Sequence, residues 1–157
     1  MNRRTLWISI GVLLMVTTCC TCGGLSALGI WSGSRLPKGV EIQAAAPDTA
    51  VLDEPFTVHF SVHNMSNRSH TLHSIGLDEA LRENFTVLEV SPAPTEMDEF
   101  AGMVTYALHA PLPPQNETQV TLTLVAKKPG LHIGTVEVCI DSTTRCKTFQ
   151  LAITARE

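Results

Sequence analysis

The sequence is poor in the signatures that carry catalysis. It has no nucleophile elbow, no glycine-rich phosphate loop and no D-x-D-x-D-G arrangement, which argues against triad-type acyl transfer, phosphate cradling and an EF-hand-type calcium loop. It has no excess of basic charge. Eleven Lys and Arg stand against 15 Asp and Glu, for a formal net charge of −4. Arg3 and Arg4 lie at the extreme N-terminus, so the remainder is more acidic still. That balance argues against nucleic acid and against a polybasic lipid-binding surface. Aromatic residues make up only 5%. No low-complexity tract and no repeat at a period of 20–50 residues is present, which argues against a solenoid or propeller.

One stretch lacks charge altogether, and it is the most informative part of the chain. Residues 5–31 form an apolar run behind a short N-terminus of residues 1–4. About 20 residues at ~1.5 Å each suffice to cross a bilayer as a helix. Trp7 and Trp31 bracket the run and would sit roughly 36 Å apart, near a membrane thickness with part of both interfaces. The run exceeds the ~7–15-residue apolar core of a cleaved signal. Arg3 and Arg4 favour a cytoplasmic N-terminus, a bias that Arg35 and Lys38 on the far flank weaken. We therefore expect a single-pass signal anchor in the lipid bilayer, with the rest of the chain outside the cytoplasmic membrane.

The alternative is a lipoprotein lipidated at Cys19, because Val16-Thr17-Thr18-Cys19 resembles a lipobox. Thr stands where a smaller residue is usual, and apolar residues continue through Leu28, Ile30 and Trp31 where a polar tether belongs. Cys19, Cys20 and Cys22 read as small hydrophobes within the span. Cys19, Gly23 and Ala27 form a small-xxx-small face of the kind that lets helices approach.

Residues 32–39 read as a polar linker, and residues 40–157 have the length of one domain. That domain reads as all-β. Phe56 to His63 alternates apolar and polar, as do Val120 to Leu124, Val136 to Ile140 and Phe149 to Ile153, the period of half-buried strands. Weaker candidates are Val40 to Ala44, Thr71 to Leu77, Phe85 to Val90 and Val104 to Leu108. Turn-forming residues separate them at Asp53-Glu54-Pro55, Asn64 to Ser69, Pro92 to Pro94, Pro111 to Asn116 and Lys128-Pro129-Gly130. Only Leu77 to Glu83 reads as helical. Seven to eight short strands at regular spacing predict an immunoglobulin-like β-sandwich.

Asp53-Glu54-Pro55-Phe56-Thr57-Val58, closed by Asn64 after the strand, resembles the opening of bacterial extracytoplasmic immunoglobulin-like domains of the cell-adhesion-related (CARDB-like) group. Pro113-Pro114-Gln115 and Lys128-Pro129-Gly130-Leu131 are similar to later turns of the same pattern. The resemblance spans most of residues 40–154 and implies the sandwich. It implies no functional residue, because such domains share no common site.

Strand parity makes a sharper statement about Cys139 and Cys146. If the two pair across neighbouring strands, Val138 faces Lys147 and Val136 faces Phe149. Both apolar sets then fall on the core side and both cysteines on the other, which predicts a cross-strand disulfide. Its short loop makes the expected stabilisation roughly 2–3 kcal/mol, and a translocated domain sits where disulfides persist.

His59, His63, His70 and His73 cluster within fifteen residues and are the candidate metal ligands. His59 and His63 would lie about 13 Å apart along one strand, and the second and third strands of such a sandwich belong to different sheets. Solvent-facing histidines are therefore the simpler expectation. Glu96, Asp98 and Glu99 read as a solvated acidic loop. Asn64, Asn67, Asn84 and Asn116 each open an N-x-S/T sequon. These observations predict a structural, adhesion-like or partner-binding module with an unidentified protein partner, no cofactor and no catalytic residue. A metal carrier or sensor using residues 59–73 is the competing expectation.

Overall fold

Apolar residues at every second position give a strand one dry face, and two such faces must close on each other to exclude water. The computed structural model describes residues 36–157 and shows this closure. The run at residues 5–31, with Trp7, Trp31 and Cys19, lies outside the described residues. Among those described, no helix is long and apolar enough to cross a membrane.

The strands are β1 (Val40–Ala45), β2 (Thr49–Val51), β3 (Pro55–Asn64), β4 (His70–Asp78), β5 (Phe85–Ser91), β6 (Glu96–Phe100), β7 (Met103–Leu112), β8 (Asn116–Ala126), β9 (Gly130–Ile140) and β10 (Cys146–Arg156). One helix, α1 (Glu79–Asn84), follows β4. A four-stranded sheet has the order β1-β3-β8-β5, and a six-stranded sheet the order β2-β10-β9-β4-β7-β6. Pairing within the sheets is antiparallel except for β2 with β10. Placing β1, β3 and β8 on one sheet and β4, β9 and β10 on the other is the immunoglobulin-like division of strands.

The alternating runs point inward as their period requires. Val58, Phe60, Val62, Val120, Leu122 and Leu124 from one sheet are fully buried against Leu72, Ile75, Val136, Val138 and Ile140 from the other. Phe60 and Phe149 meet between the sheets with ring centroids 5.4 Å apart. All eight strand candidates are present. The sandwich has ten strands where seven to eight were expected, the additions being β2 and β6. β2 is only three residues long and completes an edge by parallel pairing with Thr154 to Arg156. β6 contains Glu96, Asp98 and Glu99, so this acidic segment is a strand and not a loop. It pairs along Met103 to Ala107, and all five of its residues are exposed.

The two ends of the sandwich are closed differently. At one end, Gly39 brings the incoming chain against the loop after β3. Its φ of +82° and the Ser66 Cβ 3.1 Å from where a side chain would start leave room only for glycine. Met65 N donates to Gly39 O at 2.7 Å, and Val40 N to Pro37 O at 3.1 Å. At the other end, Asp78 caps α1. Its Oδ1 accepts from Leu81 N at 2.9 Å and its Oδ2 from Thr135 N at 2.7 Å. Leu81 is buried in the space that Gly134 leaves by having no side chain.

Candidate functional site

Sheet parity disperses the histidines. His59 lies on β3, with Nδ1 3.2 Å from Thr121 Oγ1 and Nε2 3.1 Å from Thr57 Oγ1. His63, on the same face, is 3.6 Å from Glu117. His70 and His73 belong to β4 in the other sheet. His70 Nδ1 is 2.8 Å from Asp141 Oδ2. His73 Nδ1 is 3.2 Å from the buried Ser74 Oγ, and its ring stacks edge-on to His109 at 4.9 Å. His109 reaches that position through a bulge. Between Leu72↔Ala110 and Ser74↔Ala107, β7 has one residue more than β4, and His109 takes a φ of +47°. The four candidate ligands are thus split between two sheets, and each has its own neighbour.

Cys139 and Cys146 stand opposite each other in the ladder and form a disulfide, with sulfurs 2.04 Å apart. The surrounding register is the one parity predicts, with Val138 opposite Lys147 and Val136 opposite Phe149. Glu137 places a carboxylate oxygen within 4.8 Å of both sulfurs. That trio could hold a metal only with the sulfurs reduced, because a disulfide offers no thiolate.

A concave feature among the described residues lies at the end where the chain enters β1. It is a cleft of about 830 Å³, lined by Leu36, Lys38, Met65, Arg68, His70 and Arg145 among others. Three elements hold its walls. Asn64, only 1% exposed, ties the loop after β3 to the turn after β7. Its amide nitrogen donates toward Arg68 O at 2.8 Å, Pro113 O at 2.9 Å and Leu112 O at 3.1 Å. Its oxygen accepts from Ser66 N and Ser66 Oγ at 3.0 and 2.6 Å. Gln115 Nε2 donates to Met65 O at 2.6 Å from that turn. Asp141 fixes the third wall by accepting from Thr71 N at 2.9 Å and approaching Arg145 at 3.6 Å. Burial alone would raise the Asp141 carboxyl, but the Thr71 N–H, His70 and Arg145 together hold it below its ordinary value.

The cleft was not read from the sequence, because its residues come from segments far apart in the chain. A signal was nonetheless present. The chain enters β1, leaves β3, turns after β7 and turns after β9 at the same end, as antiparallel strand pairing requires. Lys38, Arg68 and Arg145 sit in three of those four places.

A second exposed surface is the free edge of the six-stranded sheet. On β6, Met97 and Phe100 are 69% and 81% exposed. Glu99 pairs with Arg82 at 2.6 Å, which raises the Arg82 pKa.

No protein-family model matches the chain, and no curated protein matches it. Solved structures resemble the chain to different degrees. AvmM, which catalyses macrocyclization in alchivemycin A biosynthesis, superposes with a TM-score of 0.50 at 12% identity, covering 81% of this chain and 94% of its own. A cohesin module from a Clostridium perfringens family 33 glycoside hydrolase gives 0.46 at 10% identity over 74% and 98% of the two chains. A PapD-like domain of human CEP192 gives 0.38 at 15% identity over 76% and 86%. The likeness to AvmM, at 12% identity, concerns the fold alone.

Proposed function

We propose that the chain is a single-pass membrane protein whose immunoglobulin-like sandwich stands outside the cytoplasmic membrane as a structural, adhesion-like or partner-binding module without catalysis. The observation that carries this reading is the sequence order: a charge-free run of residues 5–31 between Trp7 and Trp31, followed directly by a self-contained sandwich. The CARDB-like resemblance of its turns supports the extracytoplasmic placement, and the disulfide agrees with an oxidising compartment. The exposed edge at β6 and the cleft beside Arg68 are the surfaces offered to a partner. The metal-carrier reading ranks behind, because His59 and His63 are on a different sheet from His70 and His73.

Alkaline carbonate extraction of membranes, followed by intact-mass analysis, tests the anchor. The full-length chain should stay in the membrane and keep its original N-terminus, also after Cys19→Ala. Release into the soluble fraction, or a diacylglycerol adduct on Cys19, overturns the transmembrane reading. Proximity labelling from the C-terminus then identifies the partner.

A further inference from the structure

The sheet edge at β6 carries charge of one sign. Residues 95–112, which hold β6 and β7, contain Glu96, Asp98 and Glu99 but no Lys or Arg. Glu96, Asp98 and Phe100 share the outer side of the sheet, since Met97 and Glu99 stand opposite Tyr106 and Val104, which face the core. Inward from the edge that outer side gains no cation. One row of the ladder runs Glu96, Ala107, Ser74, Cys139, and the next runs Asp98, Thr105, Gly76, Glu137. His73 and His109 sit at the bulge beyond the Glu96 row. On the core side, Arg82 is engaged by Glu99 at 2.6 Å and also feels Glu79. Lys127 Nζ donates to Arg82 O at 2.6 Å, so both of these cations have partners.

The backbone of this edge is regular and open. Ala101 and Gly102 form a two-residue turn with φ of +51° and +80°, so Phe100 and Met103 close the ladder as a hydrogen-bonded pair. Alternation gives Asp98 and Glu96 the next bonds to β7. The N–H and C=O of Met97 and Glu99 turn to the free edge, where no described strand meets them. Met97 and Phe100 are 69% and 81% exposed there, a feature that guarding an edge with charge does not require. We propose that β6 takes an added strand from a partner protein, with basic residues opposite Glu96 and Asp98 and apolar residues opposite Met97 and Phe100. The inference names the partner class for the partner-binding reading above and rests on it. In antiparallel pairing, the stronger kind, the partner's pattern is apolar, any, basic, apolar, basic. Main-chain bonds supply the affinity and the alternate side chains the choice. A second copy of the chain fits poorly. β6 against β6 sets Glu96 opposite Asp98 when centred on Met97, and Asp98 opposite itself when centred on Asp98.

The test titrates the full chain in zwitterionic micelles with a blocked peptide, Thr-Phe-Thr-Lys-Val-Lys-Thr, and follows amide exchange residue by residue. The peptide should protect the Met97 and Glu99 amides. Exchange in the β3 and β8 core amides should stay constant and so report an intact fold. Glu96→Gln and Asp98→Gln should each weaken binding about threefold, and salt should weaken the wild-type complex. Glu96→Lys combined with Asp98→Lys should switch preference to the peptide with Glu in place of both Lys. Met97→Pro removes an N–H that β7 does not use, so it should abolish binding and leave the hairpin formed. No binding by a folded chain, equal affinity for the Lys and Glu peptides, or wild-type affinity after Met97→Pro overturns the proposal. So does protection across residues 64–69 in place of Met97 and Glu99. Protection of the edge that grows with chain concentration without peptide assigns it to a second copy instead. A proximity-labelled partner that still binds the Met97→Pro chain overturns the edge assignment and keeps the module reading. No labelled partner, for a chain that binds the peptide, overturns the module reading.

Discussion

The two ends of the sandwich solve the same problem with opposite chemistry. At the β1 entrance, one buried amide satisfies the backbone of two loops, and little apolar surface is involved. At the far end, a two-turn helix drops Leu81 into the hollow over Gly134, and the polar work is left to Asp78. The first closure depends on hydrogen-bond geometry and the second on volume. A polar plug in a dry site loses its partners' satisfaction when removed, whereas an apolar plug leaves a cavity. The loops at the amide-closed end are consequently held by hydrogen bonds. The helix end is committed to packing.

Five substitutions break or sharpen this contrast. The largest effect should come from Leu81→Ala, which empties the hollow over Gly134 and should cost about 3 kcal/mol by chemical denaturation. Leu81→Met should recover most of it, because the site asks for volume. Asn64→Ala should cost about 2 kcal/mol, since Leu112 O and Ser66 N lose a buried partner. Here Asn64→Leu should give no recovery although it fills the space, and such a recovery would erase the distinction between the two ends. Asp78→Ala should cost about 1.5 kcal/mol through loss of the helix cap and of the bond from Thr135 N. Hydrogen exchange should then rise first in α1.

The smallest effect is one of pH. Asp141 titrates below its unfolded value, so its contribution is complete above about pH 4 and is lost as pH falls through the native value. The stability gap between wild type and Asp141→Asn should therefore be constant near neutrality and close in acid. A gap that widens below pH 4 would reverse the assigned sign.

The parts of this molecule that were legible in the sequence are those with one wet and one dry face. β3, β8, β9 and β10 bury every second residue along their alternating runs, so period alone located them, and parity was consistent with Cys139 standing opposite Cys146. β6 was missed for the complementary reason. Both of its faces are exposed, so Glu96 to Phe100 shows no alternation and reads as loop. β2 is too short to display a period. The cleft depends on which turns share an end, which is a property of topology and not of any one segment. The anchor is legible in another sense, through length and the absence of charge, and it lies outside the described residues.

The burial of Asn64 has a consequence for the chain's biosynthesis. Asn64-Met65-Ser66 is an N-x-S sequon, but in the finished fold its amide nitrogen is occupied by three carbonyls and closed to solvent. Asn67 and Asn116, by contrast, remain exposed. If the chain passes through a glycosylating compartment, sugar can reach Asn64 only before the loop after β3 has closed. A glycan there would be a timestamp, marking molecules on which the transferase outran folding. Its carrier could not then form the same closure, so one modification would both record late folding and make it permanent.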